Sequence, residues 1–221
     1  MMTKIKRVAV VLSGCGFQDG SEIHESVLTL LALDQQGAEY SCFAPDINQT
    51  KVQNHYQHKI MDEQRNVLVE SARIARGDIQ PLAEFDGNNF DAIIFPGGFG
   101  AASNLSSFAT DGPDCQINTD VEQAICSMHR TGKVIGALCI APVLLAKLLP
   151  GAELTIGQDE GVATAIVKMG ASHSETNHAE IVIDEINNLV TTPCYMLDAS
   201  ISDIYAGATK LVTAVLDRAL K

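Results

Sequence analysis

No run in this chain approaches the roughly eighteen consecutive apolar residues that a membrane-crossing helix needs. Cations are also scarce. There are 15 lysines and arginines against 27 aspartates and glutamates, a formal net charge of −12. That balance argues against non-specific binding to nucleic acid or to anionic membranes. The six cysteines (Cys15, Cys42, Cys115, Cys126, Cys139 and Cys194) contain no C-x-x-C pair. None joins a histidine in a zinc-ligand pattern, so no metal is expected, and free thiols are expected rather than a disulfide framework. The opening MMTKIKRVAVVLSGCG lacks the length of a signal-peptide core. Its apolar run, Val8–Leu12, is short, and no small-residue cleavage site follows. These absences lead to an expectation of a cytoplasmic protein.

What is present is ample core material. Hydrophobic residues make up 46% of 221 positions, enough for one α/β domain spanning 1–221. Val8–Leu12 is a β-branched run without polar alternation, as in a strand buried on both faces. Ser21–Gln36 has helical spacing, with Ile23, Val27, Leu30 and Leu31 at i, i+4, i+7 and i+8. Asp19 and Glu22 resemble a capping box, and Gly37 a stop. Glu39–Ala44 reads as a strand. Residues 46–65 are polar and poorly periodic. Further expected helices cover Asn66–Arg76, Asp120–Arg130, Ala141–Leu149, Thr164–Met169 and Ala199–Ala219. Further strands cover Phe90–Phe95, Lys133–Leu138 and Leu154–Ile156. Ile181–Asp184 and Leu189–Thr192 flank Asn187-Asn188 as a hairpin. The alternation implies a mostly parallel sheet with helices on both faces. Ligands bind such sheets outside the carboxyl ends of the strands. Three loops there stand out: Ser13–Gly16, Pro96–Gly100 and Leu138–Pro142.

Cys139 lies at a strand-to-helix turn in GKVIGALCIAPVLLA. Such a turn exposes a strained nucleophile, and the following helix N-terminus favours charge on sulfur. Lowering a thiol pKa from about 8.5 to about 5 takes about 5 kcal/mol. A hydrogen bond from a protonated acid would supply what the helix end does not. A small buried hydrophobe is the equal alternative on spacing alone. Gly97, Gly98 and Gly100 follow a strand and would let amides approach a ligand oxygen, although taken alone a tight turn without a ligand is the favoured reading. Glu22 and Glu25 fall in a first helical turn, where acids belong in any case. His55 and His58 share an i, i+3 spacing. His24 and His129 read as surface or helix histidines.

Several segments, SGCGFQDGSEIHESVLTLLAL, CFAPD, RNVLVESARIARGDIQPL, FPGGFGAASNLSSFA, GALCIAPVLLAK and LVTTPCYM, closely resemble the ElbB family. These are isoprenoid-biosynthesis-associated, glyoxalase-like proteins of the PfpI and class I glutamine amidotransferase-like superfamily. The match runs from about residue 5 to the C-terminus. The resemblance implies a flavodoxin-like three-layer sandwich, a homodimer and no cofactor. It implies that Cys139 is the nucleophile and Glu25 its acid partner, with Glu22 second choice. The amides of Gly97, Gly98 and Ile140 would bind an oxyanion. One departure is plain: Gly157 stands where many members of the superfamily carry a histidine.

The implied function is conversion of glyoxal to glycolate through a Cys139 hemithioacetal, with a small dicarbonyl as substrate. The alternatives are a redox-sensing or partner-binding protein whose Cys139 is oxidised, and a deglycase or amidase-type activity. The missing histidine counts against amide chemistry, which needs an acid for the leaving amine.

Overall fold

The strands that read as unbroken apolar runs form the middle of the sheet. We describe residues 5–219 from a computed structural model. The chain runs β1 (Arg7–Val11), α1 (Ile23–Gln35), β2 (Glu39–Ala44), β3 (Val52–Asn54), β4 (Lys59–Met61), α2 (Val67–Ile74) and β5 (Ile79–Pro81). It continues through β6 (Ala92–Phe95), α3 (Phe99–Ser103), α4 (Phe108–Asp111), α5 (Thr119–Arg130), β7 (Val134–Leu138) and α6 (Pro142–Leu148). The last part holds β8 (Glu153–Leu154), α7 (Glu160–Lys168), β9 (Ser172–His173), β10 (Val182–Asp184), β11 (Leu189–Thr192) and α8 (Ile201–Arg218).

Seven strands pair in the order β10-β11-β7-β6-β1-β2-β5. All neighbours are parallel except β10 and β11, which form the expected antiparallel hairpin. Every residue of β6 and β7 is buried, as their apolar runs require. Helices α1 and α8 pack together, and α8 lies on β7 and β11. Helix α5 also packs on β6 and β7. The expected α/β sandwich with a mostly parallel sheet is therefore the observed fold. No helix among the described residues is long and apolar enough to cross a membrane.

Three expectations need correction. The Asp19–Glu22 capping box does not form. Glu22 is itself the N-cap of α1, and its side chain accepts from the Glu25 N–H. Asp19 is buried instead in the preceding loop, where it accepts the Gln53 N–H at 2.6 Å. Of the four apolar positions that mark the helical spacing on α1, Leu30 alone turns into the core. Ile23, Val27 and Leu31 are 42, 46 and 39% exposed, while Glu25, Ser26 and Thr29 are buried. The inward face of α1 thus carries Glu25 in its first turn and joins the core through Leu30, Ala32 and Leu33. Finally, the polar 46–65 segment is ordered as the hairpin β3–β4, fastened to the 16–19 loop by Asp19 and by His55, whose Nε2 accepts from Gln18 N–H.

Candidate active site

Four loops converge at the carboxyl ends of β1, β6, β7 and β11. Backbone bonds knit them together. Glu22 N–H donates to Gly97 O at 2.9 Å, Phe99 N–H to Phe17 O at 2.8 Å, and Cys139 N–H to Thr192 O at 2.9 Å. The sequence singled out three of these loops. The fourth, Pro193–Tyr195 after β11, was flagged only through Cys194.

Cys139 has φ +59°, the left-handed region that non-glycine residues avoid. It follows the last residue of β7, and α6 starts three residues later with Pro142 in its first turn. This is the strained strand-to-helix turn expected at a nucleophile elbow. The residue is 6% exposed. The amides of Gly98 and Ile140 and the Glu25 side chain all bond to its thiol.

Glu25 is completely buried. Oε2 accepts the Gly97 N–H at 3.0 Å and Oε1 accepts the Tyr195 N–H at 3.1 Å. Burial, joined by the Glu22 charge, pushes its pKa up to about 8 despite the two amide donors. Burial and the Glu25 charge likewise push the Cys139 thiol well above its ordinary range, against the pull of Gly98 and Ile140. A helix end therefore does not bring this thiol towards 5, because α6 is only 7 residues long and the sulfur is desolvated. The two groups titrate as a pair. Below about 8 both keep their protons. Once one is lost, a single proton lies between Oε and Sγ. With that proton on Glu25, three donors face a thiolate.

The glycines divide their work. A Cβ at Gly97 would sit 2.3 Å from Cys139 Cβ and 2.5 Å from Glu25 Oε2, so only glycine lets these two side chains meet. The Gly97 amide is committed to Glu25, which corrects its expected part in an oxyanion hole: its one hydrogen orients the acid. Gly98 and Ile140 keep amides at the sulfur. Gly157 has φ +88°, and a Cβ there would meet Pro193 and Leu197 at 3.0 and 3.1 Å. A side chain at that point would be strained by the positive φ and would have to displace Pro193 and Leu197.

Other candidates lie apart or play structural parts. His173 Nε2 accepts the Ile156 N–H at 3.3 Å. His129 bonds to Asn187, and His55 and His58 sit with Gln18. Cys15 is half-buried beside Glu70 and Arg73. Cys194 is buried near Glu25 and Cys139, and burial pushes its thiol up. All six cysteines are free. No group of three or more metal-ligating side chains converges among the described residues. Sequence reasoning missed Tyr195, which holds Glu25 through its backbone, and His24, whose Nδ1 lies 2.8 Å from the Tyr195 hydroxyl. The motif LVTTPCYM contained the first, but only the fold shows which amide faces the acid.

A cysteine on a strand-to-helix turn of a parallel sheet, met by a buried glutamate, defines a class I glutamine amidotransferase-like protein. No protein-family model matches the chain. It is 48% identical to the human glutamine amidotransferase-like class 1 domain-containing protein 3, mitochondrial, over 96% of this chain and 82% of that protein. It is 46% identical to the rat ES1 protein homolog, mitochondrial, over 96% of this chain and 83% of that one. Among solved structures, an isoprenoid biosynthesis protein with an amidotransferase-like domain from Ehrlichia chaffeensis superposes with a TM-score of 0.89. It is 34% identical over 96% of this chain and 99% of that one. The chain belongs to the glutamine amidotransferase-like class 1 domain family that includes the ES1 proteins. The expected cytoplasmic location is overturned by these relatives, which are named as mitochondrial proteins. Free thiols and an acidic surface do not distinguish one reducing compartment from another.

Proposed function

We propose that this chain is a cofactor-independent glyoxalase-type lyase that converts glyoxal to glycolate on Cys139. The observation that carries this reading is the buried Glu25 carboxyl bonded to a Cys139 thiol that two amides also face. The motifs shared with the ElbB family support it. The thiolate adds to one aldehyde carbon, forming a C–S bond, and the proton held by Glu25 passes to the carbonyl oxygen. Gly98 and Ile140 supply the donors for the charge that develops there. Glu25, now a carboxylate, takes the hydrogen of the hemithioacetal carbon as a proton. The electron pair left behind joins the two carbons as an enediolate with charge on the second oxygen; Glu25 returns the proton to the second carbon, and the hydroxyl proton of the first carbon passes to the second oxygen as the thioester carbonyl forms. One carbon is thereby oxidised to a thioester and the other reduced to a hydroxymethyl group, so no outside oxidant is needed. Water cleaves the thioester and releases glycolate and the thiol. No amine leaves, so the chemistry does not call for a histidine at Gly157.

The reading includes a homodimer. Ile23, Val27 and Leu31 of α1 and Ile201 and Tyr205 of α8, the helix packed against it, are exposed, and a second copy would cover them.

The test is glycolate formation from glyoxal, in buffer free of amines and thiols, for wild type, Cys139→Ala and Glu25→Gln. Steady turnover lost in both variants supports the mechanism. Equal traces in all three would sink it and favour the redox-sensing alternative.

A further inference from the structure

The loop after β11 does more than hold Glu25. With Phe17 and the start of α1 it encloses a cavity of about 610 Å³, lined by Phe17, Glu22, His24 and the segment Tyr195–Ala199. Cavities of roughly 300–1,000 Å³ hold small-molecule ligands. Cys139, Glu25, Gly98 and Ile140 do not line it, so it is a place apart from the sulfur. Two of its walls nevertheless meet the acid. Glu22 accepts the Glu25 N–H at 2.7 Å, and the Tyr195 N–H donates to Glu25 Oε1 at 3.1 Å.

The walls select one sign of charge. Phe17, Met196, Leu197 and Ala199 give apolar surface. Tyr195 adds a second aromatic ring, fixed by the 2.8 Å bond between its hydroxyl and His24 Nδ1. Glu22 and Asp198 are the acids, and no lysine or arginine is among the lining residues. Neither acid forms an ion pair among the described residues. Aromatic rings beside carboxylates suit an organic cation, which both attract. A carboxylate or phosphate would meet the two acids with no cation beside it.

We infer that this cavity binds an aryl-alkyl ammonium ion, apart from whatever reacts at Cys139, and that the bound charge favours the thiolate. The aryl group would lie against Phe17 and Met196–Leu197, with the ammonium towards Glu22 and Asp198. The coupling is electrostatic. The Glu22 charge adds to burial in holding the proton on Glu25. A cation beside Glu22 offsets that charge, so the Glu25–Cys139 pair gives up its first proton at lower pH. The other ionisable groups facing the pair, Cys194 and Tyr195, come from the loop after β11. The loops after β6 and β7 face it with the amides of Gly97, Gly98 and Ile140. By linkage, loss of the proton strengthens cation binding by the same factor. The inference requires no particular substrate at Cys139, so it stands or falls apart from the glyoxalase reading.

The test titrates three probes that share one ring into the full chain at pH 8 by calorimetry: phenethyltrimethylammonium, 2-phenylethanol and 3-phenylpropionate. The cation should bind about tenfold or more tightly than the alcohol, and the anion should give no measurable binding. Phe17→Ala and Asp198→Asn should each weaken the cation several-fold. Asp217→Asn, the same loss of charge at the far end of α8, should leave it unchanged. A stoichiometry near one separates weakened binding from a partly unfolded sample. The coupling is read from alkylation of the Cys139 peptide by iodoacetamide between pH 6 and pH 10. Saturating cation should lower the midpoint by about half a pH unit or more, and the alcohol should leave it in place. Equal affinity for cation and alcohol, or equal weakening by Asp198→Asn and Asp217→Asn, overturns the site. Cation binding without a shift of the midpoint overturns the coupling and leaves the site standing.

Discussion

At the scale of the residue, one proton decides whether the site can act. Glu25 has its folded pKa raised from an ordinary 4.5 to about 8 by burial. A carboxyl raised in this way takes up a proton on folding. The stability it contributes is complete below about 4.5 and is lost as pH rises through about 8. Denaturant midpoints measured from pH 4 to pH 9 should fall more steeply for wild type than for Glu25→Gln. Parallel curves would show that Glu25 is not held protonated. The same proton governs activity. With both groups protonated below about 8 there is no thiolate, so kcat/KM should rise towards that pH and then level off. A flat profile from pH 5 to 8 would mean that the thiolate forms without loss of this proton. Glu25→Gln should lower turnover by about a hundredfold or more, the usual contribution of a positioned acid–base group.

At the scale of the element, the turns set what the side chains can reach. Gly97→Ala would drive a methyl group between Cys139 and Glu25. Overpacking of this kind costs about 1–3 kcal/mol, and turnover should fall far more than the denaturation midpoint. Gly157→His, which would restore the residue type that relatives of this superfamily carry, should destabilise by about 1–3 kcal/mol because of its positive φ and should not raise activity. A gain in turnover would contradict the structural reason given for the missing histidine.

The same scale shows what the sequence made legible. Strands β1, β6 and β7 were readable because burial on both faces removes polar alternation. The spacing on α1 placed the helix but did not identify its buried face. Three apolar residues at helical spacing look like a core stripe, yet α1 turns Glu25, Ser26 and Thr29 inward. Periodicity cannot separate a core face from an exposed apolar face. The hairpin β3–β4 was invisible because its pairing depends on Asp19 and Gln18, over thirty positions away. Within the site, Cys139 and Glu25 were nameable from the motif. The assignment of amides was not: Gly97 serves the acid, and Tyr195 enters from a loop after β11.

At the scale of the molecule, the exposed apolar residues of α1 and α8 should govern assembly. Sedimentation should give twice the 23.6 kDa chain mass, and Val27→Glu should shift the protein to monomer. A wild-type monomer at micromolar concentration would remove the dimer from the account. The fold itself does not select an activity, since one class I amidotransferase-like scaffold can carry several chemistries. The proposed function rests on the acylation of one sulfur. The most direct test is therefore a single turnover of glyoxal with enzyme in excess, quenched in acid, with the Cys139 peptide examined by mass spectrometry. The expected result is a glycolyl thioester on Cys139 that appears and decays in wild type and is missing in Glu25→Gln. Glycolate forming at full rate while Cys139 stays unmodified throughout would contradict it.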